Sequence, residues 1–219
     1  MRQEARRTGH MHIVRQGYPF IAGALVLAVV CFIAFGIHIA VIPLVLACYF
    51  AYFFRNPERM VNTDTSLLYS PADGTVMDVS QFYDDEFLNA RAKKVTIFLS
   101  VFNVHVNRSP AEGTIKFQRY TVGEFLPTFN KNAAFENERF AMGIENDRMK
   151  ILVIQIAGIL ARRIDNWVNL GNHLDQGEVY GMIKFGSCTE LVVPEDVEIL
   201  CKKGDKVKGG ITVLGRIKA

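Results

Sequence analysis

The stretch Val168-Asn169-Leu170-Gly171-Asn172-His173-Leu174-Asp175-Gln176-Gly177-Glu178-Val179 has a second version downstream. It is Leu200-Cys201-Lys202-Lys203-Gly204-Asp205-Lys206-Val207-Lys208-Gly209-Gly210-Ile211, offset by 33 residues from Gly171 to Gly204. In each, an apolar residue (Leu174, Val207) stands midway between two glycines. The pattern predicts strand, glycine turn, short apolar peg, glycine turn and strand. Two copies are too few for a solenoid and predict a pseudo-symmetric β-sandwich of short strands. The fold class is therefore mainly β (α+β).

Between the copies lies Lys184-Phe185-Gly186-Ser187-Cys188-Thr189-Glu190, with apolar runs on both sides. It reads as the connection from one unit to the next. Gly permits backbone conformations closed to other residues, and Ser sets a hydroxyl beside the preceding carbonyl. Taken alone, Gly186-Ser187 is a turn. The duplicated unit resembles that of lipoyl- and biotinyl-carrier domains.

Working toward the N-terminus, the run from Pro19 to Phe54 contains no Asp, Glu, Lys or Arg. As a single helix it would be roughly 54 Å long, against a hydrocarbon core about 30 Å thick. A break is predicted around Gly36-Ile37-His38, with Pro43 just beyond. Arg2, Arg6, Arg7 and Arg15 precede the run, and Arg55 and Arg59 follow it. The positive-inside tendency puts both flanks in the cytoplasm. The predicted organisation is a basic N-terminus (1–18), an α-helical membrane hairpin (19–54) and a β-rich domain (55–219). The run is too long and too aromatic for a signal peptide.

The chain has 219 residues and a net charge of +3, too little to argue for nucleic acid. Its four cysteines (Cys31, Cys48, Cys188, Cys201) have no paired spacing, which suits a reducing compartment. Ser70-Pro71-Ala72-Asp73-Gly74 is a tight turn leading into a strand, with Asp73 as its carboxylate. Lys94 to Val106 reads as a buried strand followed by irregular chain, with His105 at its end near Asn103, Asn107 and Arg108. Further strands are expected from Glu112 and over Lys150–Leu160. Phe125, Leu126, Phe129 and Phe135 lie in a polar, Asn-rich stretch, either as core or as a lip touching lipid.

Four patches together resemble the phosphatidylserine decarboxylase family, in its short bacterial and archaeal-type branch. They are Phe53-Phe54-Arg55-Asn56-Pro57, Ser70-Pro71-Ala72-Asp73-Gly74, Asn103-Val104-His105-Val106-Asn107-Arg108-Ser109-Pro110, and Gly181-Met182-Ile183-Lys184-Phe185-Gly186-Ser187. The sequence departs from the family at three points. Asn56 stands where Asp is frequent. Arg108 occupies the place of the second histidine of longer relatives. Cys188 follows the processing serine, where many relatives have Thr, Ser or Arg.

The resemblance implies an enzyme that turns phosphatidylserine into phosphatidylethanolamine through a Schiff base on a pyruvoyl group. Side chains offer no electron sink for such a reaction, so the cofactor must. Here it would be made covalently from Ser187 by autocatalytic cleavage at Gly186-Ser187, giving fragments 1–186 and 187–219 that stay together as a heterodimer, with or without further oligomerisation. Asp73 and His105 would form the activating pair, a carboxylate orienting an imidazole that deprotonates a hydroxyl. Arg108 is a candidate for the lipid phosphate or carboxylate, or alternatively a structural arginine. The partners implied are a phospholipid and the cell (inner) membrane, with the catalytic domain on the cytoplasmic side, and no metal.

The same chemistry on archaetidylserine is an alternative, since the head group is shared. A membrane-tethered carrier domain would need a modifiable lysine, and Lys184 and Lys208 lack the usual neighbours. A metalloprotease would need several ligands, and the β-rich part offers only His105 and His173.

Overall fold

The computed structural model describes residues 5–8, 12–123, 137–158, 164–184 and 187–217. The aromatic lip expected at Phe125, Leu126, Phe129 and Phe135 lies outside them, as do Phe185 and Gly186. The chain forms two compact units, one of residues 1–8 with 59–219 and one of residues 9–58. Strand β1 (Ala5–Thr8) belongs to the first unit, and β2 (His12–Ile13) opens the second.

The smaller unit is a helical hairpin. Helix α1 (Tyr18–Phe35) and helix α2 (Ile37–Phe53) meet at Gly36, whose φ of 81° ends one helix and starts the next. The predicted break falls there, and Pro43 lies inside α2. After it, β3 (Arg55–Asn56) pairs with β2. The two helices bury small residues, Ala24 and Ala28 on α1 and Ala40, Pro43 and Ala47 on α2. Phe53, at the end of α2, is also buried, but most of their large side chains point outward, with Ile33 80 % exposed. A water-soluble helix pair buries the large residues instead. Small residues inside and large apolar ones outside is the arrangement of helices that pack in lipid. The N-terminal helix of this pair, counted from Arg15 to Phe35, is long and apolar enough to cross a membrane.

The larger unit is mainly β. It begins with β4 (Arg59–Asn62), which pairs with β1. There follow β5 (Leu67–Tyr69), β6 (Gly74–Asp84), β7 (Ala90–Leu99), β8 (Val106–Arg108), β9 (Gly113–Thr121), β10 (Arg139–Glu145) and β11 (Lys150–Ala157). Then come β12 (Ile164–Asn166), β13 (His173–Leu174), β14 (Val179–Ile183), β15 (Ser187–Pro194), β16 (Glu198–Ile199), β17 (Lys206–Val207) and β18 (Val213–Arg216). An eight-stranded antiparallel sheet has the order β13-β9-β10-β11-β15-β7-β6-β17. Two three-stranded sheets have the orders β12-β14-β8 and β16-β18-β5. Seven of the eight residues of β11 are buried, so this central strand is covered on both faces. One face packs Val95, Ile97, Ile151, Val153 and Leu191 into the main core. The other carries Leu152, Ile154, Cys188 and Val192, with Phe87 and Phe117 against them.

These sheets carry an internal two-fold relation larger than the repeat read from the sequence. The strands β5, β6, β7, β15, β16, β17 and β18 correspond to β8, β9, β10, β11, β12, β13 and β14. Under that exchange the eight-stranded order reads the same from both ends, and the two three-stranded sheets interchange. The turns opening the halves are Ser70-Pro71-Ala72-Asp73-Gly74 and Ser109-Pro110-Ala111-Glu112-Gly113. In both, the serine hydroxyl donates to the alanine carbonyl, at 2.7 Å from Ser70 and 2.6 Å from Ser109. The turns also bond each other, Tyr69 N–H to the Pro110 carbonyl (3.0 Å) and Arg108 N–H to the Pro71 carbonyl (2.9 Å). The glycines of the 33-residue repeat close onto these turns, Gly210 N–H on Ser70 and Gly177 N–H on Ser109, both at 2.8 Å. One half is therefore discontinuous, built from residues 67–99 and 187–217, with the other half inserted between.

The repeated turns need left-handed backbone, with φ of 86° and 78° at Gly171 and Gly177 and 95° and 71° at Gly204 and Gly210. Their surroundings differ. A Cβ on Gly177 would lie 2.5 Å from the Val61 side chain, whereas one on Gly204 would meet open space. Gly204→Ala should lose the backbone term alone, roughly 1–2 kcal/mol. Gly177→Ala should lose clearly more, read as the larger drop in melting temperature of the full chain in detergent.

Candidate active site

Ser187 is the first residue of β15, the strand on which the discontinuous half resumes. It is fully buried, lying opposite Ala157 at the end of β11 and Leu99 at the end of β7. Side chains alternate along a strand, so Ser187 and Thr189 share the core face with Leu191. Cys188 points to the other face, where its Sγ lies 4.0 Å from the Met77 sulfur. Its thiol is therefore separated from the Ser187 hydroxyl by the sheet. The Ser187 Oγ has no hydrogen-bond partner among the described residues. A buried hydroxyl left so costs about 1–3 kcal/mol.

His105 is fully buried just ahead of β8. Its Nδ1 lies 3.0 Å from the Asn103 carbonyl. A carbonyl can only accept, which assigns the proton to Nδ1 and leaves the lone pair on Nε2. The His105 carbonyl in turn accepts the Ile183 N–H at 3.2 Å. Ile183 ends β14, four residues before Ser187, and Lys184 is held by an ion pair to Asp165 at 2.9 Å. The strand leading to Ser187 is thus tied directly to the histidine loop.

Asp73 does not join them. Its Oδ2 pairs with Arg59 at 2.8 Å, and its Oδ1 accepts the Gly209 N–H at 2.8 Å. Arg59 also donates to the Gly209 carbonyl at 2.8 Å. The imidazole is oriented by the Asn103 carbonyl instead of by the carboxylate expected from the sequence. The reason is topological. The Asp73 turn faces the Gly209-Gly210 turn of its own half, and Arg59 on β4 bridges the two.

Arg108, expected as a lipid contact, is almost wholly buried and donates to the Gly177 carbonyl at 3.1 Å. Its pKa is lowered to about 10, chiefly by burial and then by the Arg59 guanidinium, with Asp73 opposing. It belongs to the same buried charge cluster as Arg59 and Asp73. His173, exposed on β13, stands apart from this region at the sheet edge.

A buried polar cluster was not singled out from the sequence. Gln155 donates to the Asn107 Oδ1 at 2.7 Å, and Asn107 donates to the Pro71 carbonyl and the Thr189 Oγ1, both at 3.3 Å. All three side chains are fully buried. The signal was a lone glutamine inside the apolar run Lys150–Ala157. Nearby strand β14 also buries the Tyr180 hydroxyl without a partner among the described residues, and burial pushes its pKa well up.

Removing the Asp73 carboxylate strands a buried arginine. Asp73→Ala should destabilise by about 3–5 kcal/mol, and Asp73→Asn by less, since it still accepts the Gly209 N–H. Thermal melting in a Ser187→Ala background checks this. A chemical role for Asp73 beyond that would appear as self-cleavage lost in Asp73→Asn while the melting temperature holds.

Among known proteins, a family model described as phosphatidylserine decarboxylase matches residues 46–215. A relative from Carboxydothermus hydrogenoformans is 46 % identical over 97 % of this chain and 96 % of its own length. One from Symbiobacterium thermophilum is 42 % identical, covering 94 % of this chain and 95 % of its own. One from Geotalea uraniireducens is 38 % identical, covering 95 % and 98 %. Each of the three carries the name phosphatidylserine decarboxylase proenzyme.

Proposed function

We propose, for a chain that belongs to the phosphatidylserine decarboxylase family, that it removes carbon dioxide from phosphatidylserine to leave phosphatidylethanolamine, after cutting itself between Gly186 and Ser187. The observation that carries this reading is the Ser187 hydroxyl. It is buried without a partner among the described residues, at the return from one half of the fold to the other. Such an unsatisfied buried group calls for an explanation, and a role in chemistry is one.

In this reading His105 Nε2 takes the Ser187 proton as Oγ attacks the Gly186 carbonyl, and an ester replaces the amide. Elimination across Cα–Cβ of residue 187 frees the Gly186 carboxylate, and hydrolysis then releases ammonia. The residue left at position 187 is a pyruvoyl group, whose carbonyl supplies the electron sink for decarboxylation. Its setting suits it, since the precursor side chain faces a buried interior lined by Thr189, Gln155 and Asn107. His105 is also the group best placed by its tautomer to hold and return a proton at the reacting carbon. Asp73 and Arg108 hold the two turns that carry this loop, with Arg59 between them.

The fragments 1–186 and 187–219 remain a heterodimer because β15 lies between β11 and β7, paired to both. The duplicated motif is of the lipoyl- and biotinyl-carrier type. The apolar hairpin anchors the enzyme in the cell membrane with both ends cytoplasmic, which keeps it beside a substrate that stays in the bilayer. Phe102, Tyr120 and Val122 support a lipid-facing entrance. All three are exposed and lie at the sheet end where Ser187 stands, with Val122 81 % exposed.

Denaturing mass analysis of the native protein should give a fragment beginning at residue 187 with a ketone in place of the amino group. Ser187→Ala should stay one chain and leave phosphatidylserine unchanged. An intact native chain, or an active Ser187→Ala, sinks the reading. Membrane fractions should retain the protein through a high-salt wash, and release by salt alone argues against the anchor. Assay of serine lipids with ester-linked and ether-linked tails separates phosphatidylserine from archaetidylserine as substrate.

A further inference from the structure

The buried polar cluster beside Ser187 has a fixed direction. The Pro71 carbonyl can only accept, so the Asn107 group 3.3 Å from it is the Nδ2 donor. The Asn107 Oδ1 then faces Gln155 and must receive its Nε2 at 2.7 Å. That leaves the Gln155 Oε1 as an acceptor, buried and without a partner among the described residues. Gln155 cannot flip to relieve this without setting oxygen against oxygen.

The place of this acceptor is equally constrained. On β11, Ile151 and Val153 face the main core, and alternation puts Gln155 and Ala157 on the same face. Gln155 pairs with Thr189 and Ala157 with Ser187, so Gln155 and Ser187 are diagonal neighbours across two paired strands. Such neighbours are about 7–8 Å apart along the backbone, within reach of a long side chain. An unused acceptor therefore stands next to the residue that self-cleavage rearranges.

We propose that Gln155 is a further residue of the self-cleavage machinery, its Oε1 receiving the N–H that appears at residue 187 when that nitrogen is released from Gly186. This rests on the self-cleavage reading above. The step balances as follows. The Ser187 Oγ bonds the Gly186 carbonyl carbon, the carbon–nitrogen bond breaks, and its electron pair stays on nitrogen. The hydroxyl proton, carried by His105, ends on that nitrogen, which passes from one N–H to two. The ester form thus has as many donors as the resting chain, but one of them has moved from the Ser187 Oγ to the nitrogen. An acceptor unpaired before the step and paired as the N–H forms favours the product, and it lowers the barrier to the extent that the proton has reached nitrogen in the transition state. It also opposes the return of the amine to the ester.

The test follows the full chain as it is synthesised in the presence of membranes, reading conversion of one band to two on denaturing gels. Gln155→Met keeps the volume and removes the acceptor, and should slow cleavage about tenfold, the loss of one net hydrogen bond. Ser187→Ala/Gln155→Met should melt below Ser187→Ala, because the Nε2 bond to the Asn107 Oδ1 is lost as well, so the response of Gln155→Glu carries the distinction from a merely structural glutamine. Gln155→Glu fits the cluster as the protonated acid, whose O–H replaces the Nε2 donor to the Asn107 Oδ1 while its carbonyl oxygen remains the acceptor, so relative to the native chain its cleavage should recover as pH falls through the carboxylate's titration. Native-rate cleavage in Gln155→Met overturns the proposal. So does slowing matched by a drop in melting temperature, with no pH-dependent recovery in Gln155→Glu. A native chain that never divides overturns the self-cleavage reading itself.

Discussion

The β-rich unit depends on two main-chain bonds that cross between like turns, Tyr69 to Pro110 and Arg108 to Pro71. Each turn contributes a proline carbonyl, which has no competing N–H of its own, and receives the amide that precedes the other turn's serine. The bonds are reciprocal, so neither half can shift register without breaking both. The turns themselves follow the same two-fold relation. The serine hydroxyls fold onto their own turns, and the glycine turns close over them from outside. The two peg residues extend opposite edges of one sheet, Leu174 beside Gly113 and Val207 beside Gly74.

That relation explains how the fold would tolerate the proposed break at Ser187. The half made of residues 67–99 and 187–217 is already discontinuous, so its second piece is held by pairing and packing and not by the connection at 184–187. β15 is sandwiched between β11 and β7, and its core face carries Leu191 and Val193. Cutting the connection frees a chain end without exposing a strand edge. The same placement brings the end of β14, tied to His105, to the start of β15.

Much of this was legible because it is local. Glycines that need left-handed backbone recur at fixed spacing, and a 36-residue apolar run with one glycine in its middle predicts two helices. Contacts between distant segments were not legible. The sequence reading assigned Asp73 to His105 by analogy with an acid–base–nucleophile chain. Its actual partner, Arg59, lies on β4 and is an unremarkable cation of a basic flank in the sequence. Arg108 looked like a surface anion binder because burial of an arginine cannot be read from its neighbours. The second copy of the Ser-Pro-Ala turn, at Ser109-Pro110-Ala111, was present in plain text. It overlaps the histidine patch, Asn103–Pro110, which hides it as a repeat.

The unsatisfied groups bear on why a stable fold should contain a reactive bond at all. The interior around β11 and β15 holds a hydroxyl donor at Ser187 and an amide acceptor at Gln155. Each alone disfavours the folded chain by about 1 kcal/mol or more, yet the surrounding sheets over-determine their positions. The Pro71 carbonyl sets the direction of Asn107, Asn107 sets Gln155, and the crossed turns set Pro71. The proposed self-cleavage would relieve this state, because the rearrangement would consume the hydroxyl and move its proton to a nitrogen beside the amide oxygen. On this view the repeated turn motif contributes less through its carboxylate than through its proline carbonyl, the fixed point from which the polarity of the whole site is set.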